Sequence, residues 1–190
     1  MRATVNPDRV TIYQRTIVSE WLTFALVLAG VWLNGSSIFT IIGERWRSFR
    51  RFCEDAGIGI LFLIASILLT SIVGGHGGGV DTKTQYLLPQ GRAEMALWIV
   101  LSISAGICEE AVYRGYLQKQ FMAMTKSVPT GIVLSGLAFG AAHSYQGWAH
   151  ASVIGAMGVL GGILAYWRRS VRPGMIAHAL EDVVGGFVRH

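Results

Sequence analysis

Two adjacent glutamates stand inside an apolar run of the 190-residue sequence, and an arginine follows them. On a helix, Glu110 and Arg114 are four residues apart in the favourable acid-before-base order, so that pair can neutralise itself. Glu109 is rotated by about 100° from Glu110 and has no such partner. Charge inside a membrane is costly, which makes an unpaired acid there a candidate for function. A plain ion-pair ladder at the cytoplasmic end of the helix is the alternative interpretation.

Two histidines recur in the same apolar setting, each with a notable neighbour four residues away. Phe139 and His143 would stack on one helix face, where the ring shields one side of the imidazole. The alternative is a histidine at an outer helix end, hydrogen-bonded to a carbonyl. His178 shares a helix face with Asp182, and shares it less well with Glu181. A surface turn is the alternative there, although the surrounding residues are otherwise apolar.

One carboxylate and two histidines on three neighbouring helices could carry out hydrolysis. Glu109 could take a proton from a water molecule as general base while His143 holds that water. His178 and Asp182 could then stabilise the oxyanion that forms at a carbonyl. Alternatively, Glu109, His143 and His178 could bind zinc with one position left for water. The HExxH pattern of helical zinc peptidases is absent from the sequence, but these residues alone leave both chemistries open.

In these three motifs the sequence resembles the CPBP family of intramembrane peptidases, also called the Abi family. That family includes CAAX proteases such as CAAX prenyl protease 2, bacteriocin-processing enzymes and proteins similar to lysostaphin resistance protein A. Its pattern is Glu-Glu-x-x-x-Arg, then Phe-x-x-x-His, then His-x-x-x-Asn or a similar residue. The matching residues, in order and spacing, are Glu109, Glu110, Arg114, Phe139, His143, His178 and Asp182. The resemblance covers about residues 95–190 and implies an intramembrane glutamic endopeptidase.

The resemblance also implies a role for each matching residue, without a metal or another cofactor. Glu109 would be the base, His143 the water-positioning partner and His178 an oxyanion donor. The supporting residues would be Glu110, Arg114 and Phe139. Asp182 stands where some members have Asn, and an ionised aspartate cannot donate a hydrogen bond to an oxyanion. It would help only if protonated, or by orienting His178. The implied substrate is a peptide bond in a membrane-associated protein or peptide, such as one with a C-terminal or leader segment.

The composition places these motifs in a membrane protein. Hydrophobic residues make up 52% of the chain and charged residues 14%, against about 25% charged in a typical soluble domain, and the mean hydropathy is +0.47. These values exclude a disordered chain, a disulfide scaffold, a coiled coil and an ordinary cytosolic enzyme. The net charge of +5 comes largely from arginines between apolar runs, and no motif that reads nucleic acid accompanies them. We therefore expect the lipid bilayer as a partner, no nucleic acid, and a prokaryotic plasma membrane.

The apolar runs predict an all-α, polytopic transmembrane bundle of about six helices. Residues 1–94 would hold two membrane helices, the first interrupted only by Glu20, and a basic connector between them. Residues 95–190 would form the catalytic core, where small residues recur four apart and let helices approach closely. The predicted helices cover residues 17–33, 57–73, 95–122, 130–142, 151–167 and 175–188. The stretches predicted to be cytoplasmic are 34–56, 115–129 and 168–174, and the topology of the first helix stays open.

Three other functions fit parts of the pattern. A non-catalytic membrane protein of the same fold could act as an immunity or partner-binding factor. A small transporter could use Glu109 and the histidines as a proton relay. Cys108 adjoins Glu109 and allows a cysteine peptidase, although Cys108 is more simply a small apolar packing residue.

Overall fold

The computed structural model describes residues 8–73 and 85–188, and no strand occurs within these ranges. Its helices are α1 (Arg9–Leu33), α2 (Phe39–Ile42), α3 (Phe49–Val73), α4 (Arg92–Thr125), α5 (Val128–Ala142), α6 (Trp148–Arg168) and α7 (Arg172–Val188). Four of the described helices, α1, α3, α4 and α6, are long and apolar enough to cross a membrane. The predicted all-α, multi-pass bundle is confirmed, and all six predicted helices are present.

Most of the helices extend beyond the apolar runs that predicted them, because polar residues continue a helix into the membrane interface. Helix α1 begins at Arg9, eight residues before the predicted run, and Asp8 caps it by accepting a hydrogen bond from the Thr11 N–H at 3.1 Å. Ser127 caps α5 by accepting from the Thr130 N–H at 3.4 Å. The apolar runs therefore marked the apolar part of each helix, and the caps of α1 and α5 mark where these two helices start.

Helix α4 is the longest described helix and carries the first motif near its middle. It is α-helical over Arg92–Glu109, π-helical over Glu110–Leu117 and α-helical again over Gln118–Thr125. The π segment differs from the regular helix that we expected around Glu110. In this segment the Gln118 N–H donates to the carbonyl of Tyr113, five residues earlier. Such segments occur frequently at functional sites, and this one begins directly after Glu109.

Helix α7 packs antiparallel on α4, which brings the first and third motifs to one place. A Cβ on Gly106 would meet the Met175 carbonyl at 2.8 Å, and one on Gly186 would meet the Trp98 ring at 2.4 Å. Glycine at both positions therefore allows the two helices to approach closely along their length. This approach places the middle of α7 beside the end of the α-helical part of α4.

Helices α5 and α6 approach each other through glycine as well. A Cβ on Gly136 would lie 2.5 Å from Val159 Cγ2, and one on Gly140 would lie 2.6 Å from the Ala151 carbonyl. Gly155 lies opposite both, so the backbones of the two helices are in direct contact. The four-residue spacing of small residues correctly predicted this close packing.

We expect Gly140→Ala to lower the free energy of unfolding by about 1–3 kcal/mol, whereas Gly155→Ala should leave it nearly unchanged. The added methyl at position 140 meets two backbone atoms, the Ala151 carbonyl oxygen at 2.6 Å and the Gly155 Cα at 2.9 Å. At Gly155 the nearest atoms are at 3.4 and 3.6 Å, which is ordinary contact. Thermal unfolding of both variants in the same detergent tests the difference. Equal melting temperatures would show that the α5–α6 contact is softer than the structure indicates.

The three stretches predicted to be cytoplasmic meet at one end of the bundle. Arg168 Nη2 lies 3.0 Å from Asp55 Oδ1, the guanidinium of Arg172 donates to the Gly43 carbonyl at 3.2 Å, and Lys119 donates to a carbonyl of α2. The basic connector over residues 34–56 is therefore packed against the bundle rather than free in solvent. It contains α2 and the first turns of α3, and its polar groups bind the ends of the other helices.

Candidate active site

His178 on α7 lies among the carboxylates of α4 and of its own helix. Its Nε2 is 3.8 Å from Glu109 Oε2 and 3.7 Å from Asp182 Oδ2. Its Nδ1 is 3.3 Å from Glu110 Oε1. Both ring nitrogens face carboxylate oxygens, an arrangement that suits an imidazole with hydrogen on each nitrogen. The structure thus brings the first and third sequence motifs together, and it places His178 and Asp182 on one helix face as predicted.

Glu110 and Arg114 form a buried ion pair beneath the histidine. Arg114 Nη1 is 3.1 Å from Glu110 Oε1, and the side chains of both residues are at most 5% exposed. The pair forms although the backbone between them is π-helical rather than α-helical. The same Glu110 oxygen faces His178 Nδ1, so the carboxylate connects the guanidinium to the imidazole. An isolated buried charge would be very unfavourable, and Arg114 removes that cost for Glu110.

Phe139 joins the second motif to the other two. The Arg114 guanidinium lies over its ring, with Cζ 3.9 Å from the centroid. The ring also makes edge contacts with His143 at 4.7 Å and with His178 at 6.0 Å between centroids. The two histidines therefore share one aromatic neighbour, which confirms the contact predicted between Phe139 and His143.

His143 caps the C-terminal end of α5, and a hydrogen bond of its ring determines which nitrogen donates and which accepts. Nδ1 is 2.9 Å from the Phe139 carbonyl oxygen, which can only accept. Nδ1 therefore carries the hydrogen, and in the neutral ring Nε2 is left as an acceptor. The alternative interpretation, a histidine at a helix end that is hydrogen-bonded to a carbonyl, therefore agrees with the structure. This hydrogen bond does not prevent a catalytic role, because it leaves Nε2 available.

Two residues outside the three motifs, Gly174 and Trp98, also shape the site. Gly174 lies against Glu110, and a Cβ there would come within 2.7 Å of Glu110 Oε2. The Trp98 indole N–H donates to the Asp182 carbonyl at 2.8 Å and ties α7 to α4. Both contacts join residues that are far apart in the chain, so spacing within one helix gave no signal for them.

A fourth acid, besides Glu109, Glu110 and Asp182, lies close to the site from outside the predicted catalytic core. Glu20 on α1 interacts electrostatically with Glu109, Asp182 and His178. The sequence showed Glu20 only as the one break in an apolar run, and we assigned it no role. A single acid within a predicted membrane helix was the available signal. Within residues 8–73 and 85–188, no three side chains of His, Cys, Asp or Glu are grouped in a way that could hold a metal ion.

The three motifs lie within a region that matches a known protein family. Residues 91–184 match the family model described as type II CAAX prenyl endopeptidase Rce1-like. The match begins next to the start of α4 and ends on α7, so it includes all seven motif residues and excludes α1 and α3. No curated protein and no solved structure matches the chain.

Proposed function

Because residues 91–184 place the chain in the Rce1-like family of type II CAAX prenyl endopeptidases, we propose that it cleaves a peptide bond of a membrane-associated protein or peptide with a water activated by Glu109. The observation that carries this proposal is the arrangement around His178 Nε2. Two carboxylates from different helices, Glu109 and Asp182, face this one nitrogen at 3.8 and 3.7 Å. These separations exceed a direct hydrogen bond and suit groups that share a water molecule.

Glu109 is the proposed general base. Its Oε2 is buried and has no hydrogen-bond partner among the residues that the structure describes. That oxygen is therefore not occupied by a hydrogen bond of the fold and can accept the proton of a water molecule. His143 positions that water by accepting a hydrogen bond at Nε2, which its contact with the Phe139 carbonyl leaves available.

His178 is the proposed donor to the oxyanion, through the hydrogen on Nε2. Glu110 holds the opposite nitrogen of the ring, and Arg114 holds Glu110. Asp182 is not proposed as a donor, because an ionised carboxylate has no hydrogen to give. Its proposed role is to orient His178, whose Nε2 it faces at 3.7 Å.

The substrate and the cellular setting follow from the same placement. Glu109 lies near the middle of the 34-residue helix α4, so the scissile bond must reach the interior of the bundle. An extended segment anchored at the membrane, such as a leader or a C-terminal tail, can do so. We propose a prokaryotic plasma membrane as the location, because the described part of the chain is a small helical bundle without a soluble domain.

We expect peptide cleavage by this protein to continue unchanged in the presence of a zinc chelator. The reaction proposed here uses Glu109, His143 and His178 as base, water holder and donor, and it needs no metal. The measurement is the hydrolysis of a panel of quenched fluorescent tail peptides by the purified protein in liposomes, with and without chelator. His143→Ala, which removes the proposed water holder, should be slower in both conditions. If chelation stops cleavage and added zinc restores it, the same three residues are metal ligands.

A further inference from the structure

Helix α1 presents one regular face to the bundle, and Glu20 lies on it. The buried residues of α1 include Tyr13, Phe24 and Val31, and Glu20 falls on the same stripe at helical spacing. The register of α1 is fixed beside Glu20, where the Trp21 indole N–H donates to Ser104 Oγ of α4 at 3.0 Å. Glu20 is therefore held toward α4 rather than toward lipid.

One oxygen of the Glu20 carboxyl group, Oε2, is buried and makes no hydrogen bond in the described ranges. The same is true of Glu109 Oε2. The ionisable groups that interact with Glu20 are Glu109 and Cys108 on α4, His178 and Asp182 on α7, and Tyr145 after α5. Of these, only His178 can carry positive charge, and it is already shared by three other carboxylates.

Two carboxyl groups in one buried site repel when both are ionised, so the pair is most stable when it holds one proton. Asp182 faces His178 Nε2 at 3.7 Å, so it lies beside a group that can carry the opposite charge. Glu109 must be ionised to act as base. The shared proton is therefore best placed on Glu20. Among the described residues, the one group near it that can carry positive charge, His178, already faces three other carboxylates. Cleavage of an amide requires a protonated acid beside the base, because the amide nitrogen must gain a proton before it can leave as an amine.

We propose that Glu20 is a further catalytic residue, the general acid that gives a proton to the leaving amine. This inference rests on the proposed function. Glu109 takes a proton from water, and the resulting hydroxide forms a C–O bond at the carbonyl. Glu20 gives its proton to the amide nitrogen, the C–N bond breaks, and a carboxylic acid and an amine are released. Transfer of the proton from Glu109 back to Glu20 then restores the site.

A pair of substrates that differ only in the leaving atom tests this role. One is a peptide that the wild type cleaves, and the other is its thioester, with sulfur in place of the scissile nitrogen. A thiolate leaves without protonation, because a thiol has an ordinary pKa of about 8.5. Glu20→Gln should lower kcat for the peptide by about 10²-fold and leave kcat for the thioester nearly unchanged. Glu20→Asp, which retains an acid, should recover part of the peptide activity. Thr23→Val on the exposed side of α1 is the matched control.

The outcomes separate this inference from the function on which it rests. Glu109→Gln should slow both substrates, because both need an activated water. If Glu20→Gln matches the wild type on the peptide, or slows peptide and thioester equally, Glu20 is not the acid, while the proposed function stands. If the wild type cleaves neither substrate, or if Glu109→Gln cleaves both at the wild-type rate, the proposed function fails and the role of Glu20 fails with it.

Discussion

A Glu109→Gln variant is expected to cleave its peptide substrate about 10³-fold more slowly than the wild type and to accumulate in the membrane to the same level. Glutamine has the same size as glutamate but cannot take a proton from water. The native carboxylate makes no hydrogen bond through Oε2 within the described residues, and this oxygen lies 3.8 Å from His178 Nε2. We therefore expect the fold to depend little on the charge of Glu109, whereas the proposed reaction requires it. The measurement is kcat in liposomes together with the amount of folded protein.

Glu54→Gln is the matched control for this loss. Glu54 lies near the start of α3, where it pairs with Arg50 at 2.9 Å on the exposed surface, and exposed pairs contribute little to stability. Its activity should equal that of the wild type. Full activity of Glu109→Gln would remove Glu109 as the base. If the wild type and Glu109→Gln both bind a partner protein and neither cleaves it, the immunity or partner-binding alternative is favoured.

The second large effect is on stability rather than on chemistry. Arg114→Met is expected to lower the free energy of unfolding by about 3–5 kcal/mol, because it leaves the carboxylate of Glu110 buried without its cation. The variant also loses the contact of the guanidinium with the Phe139 ring, whose centroid lies 3.9 Å from Arg114 Cζ in the native protein. The measurement is thermal unfolding in detergent, together with the level of protein in the membrane.

A double variant distinguishes the buried charge from the loss of packing. Glu110→Gln combined with Arg114→Met removes both charges and should recover most of the stability, since replacing a whole buried pair is often nearly neutral. Its kcat should nevertheless stay below that of the wild type, because Glu110 also faces His178 Nδ1 at 3.3 Å. If the double variant is as unstable as Arg114→Met alone, the packing of the guanidinium matters more than its charge.

The parts of the site that the sequence predicted are those set within one helix. The pairing of Glu110 with Arg114, of Phe139 with His143, and of His178 with Asp182 each follows from a four-residue spacing. Apolar runs likewise predicted the six helices, because the membrane sets their length and composition. Such features are local, so no tertiary contact is needed to infer them.

What the sequence could not show depends on how the helices pack. The π segment after Glu109 has no signature in a single sequence, and its carbonyl at Tyr113 is bonded by Ser135 of another helix at 2.7 Å. The place of Gly174 against Glu110 and of Glu20 beside Glu109 depends on which helices become neighbours. Spacing along the chain carries no record of that choice. The family resemblance reached only the second half of the chain and gave no information on α1.

The antiparallel packing of α7 on α4 sets the order in which the site can be completed during synthesis. Glu109 leaves the ribosome about 70 residues before His178, which is roughly 3–14 s at ordinary rates of translation. Throughout that interval Glu109 on α4 has no histidine from α7, so the nascent chain would hold the proposed base without the proposed oxyanion donor. Glu110 meets Arg114 at once, because the two lie on one helix, and it can enter the membrane already neutralised. On the proposed mechanism, the newly inserted chain would therefore gain proteolytic capacity only after most of the bundle is in place.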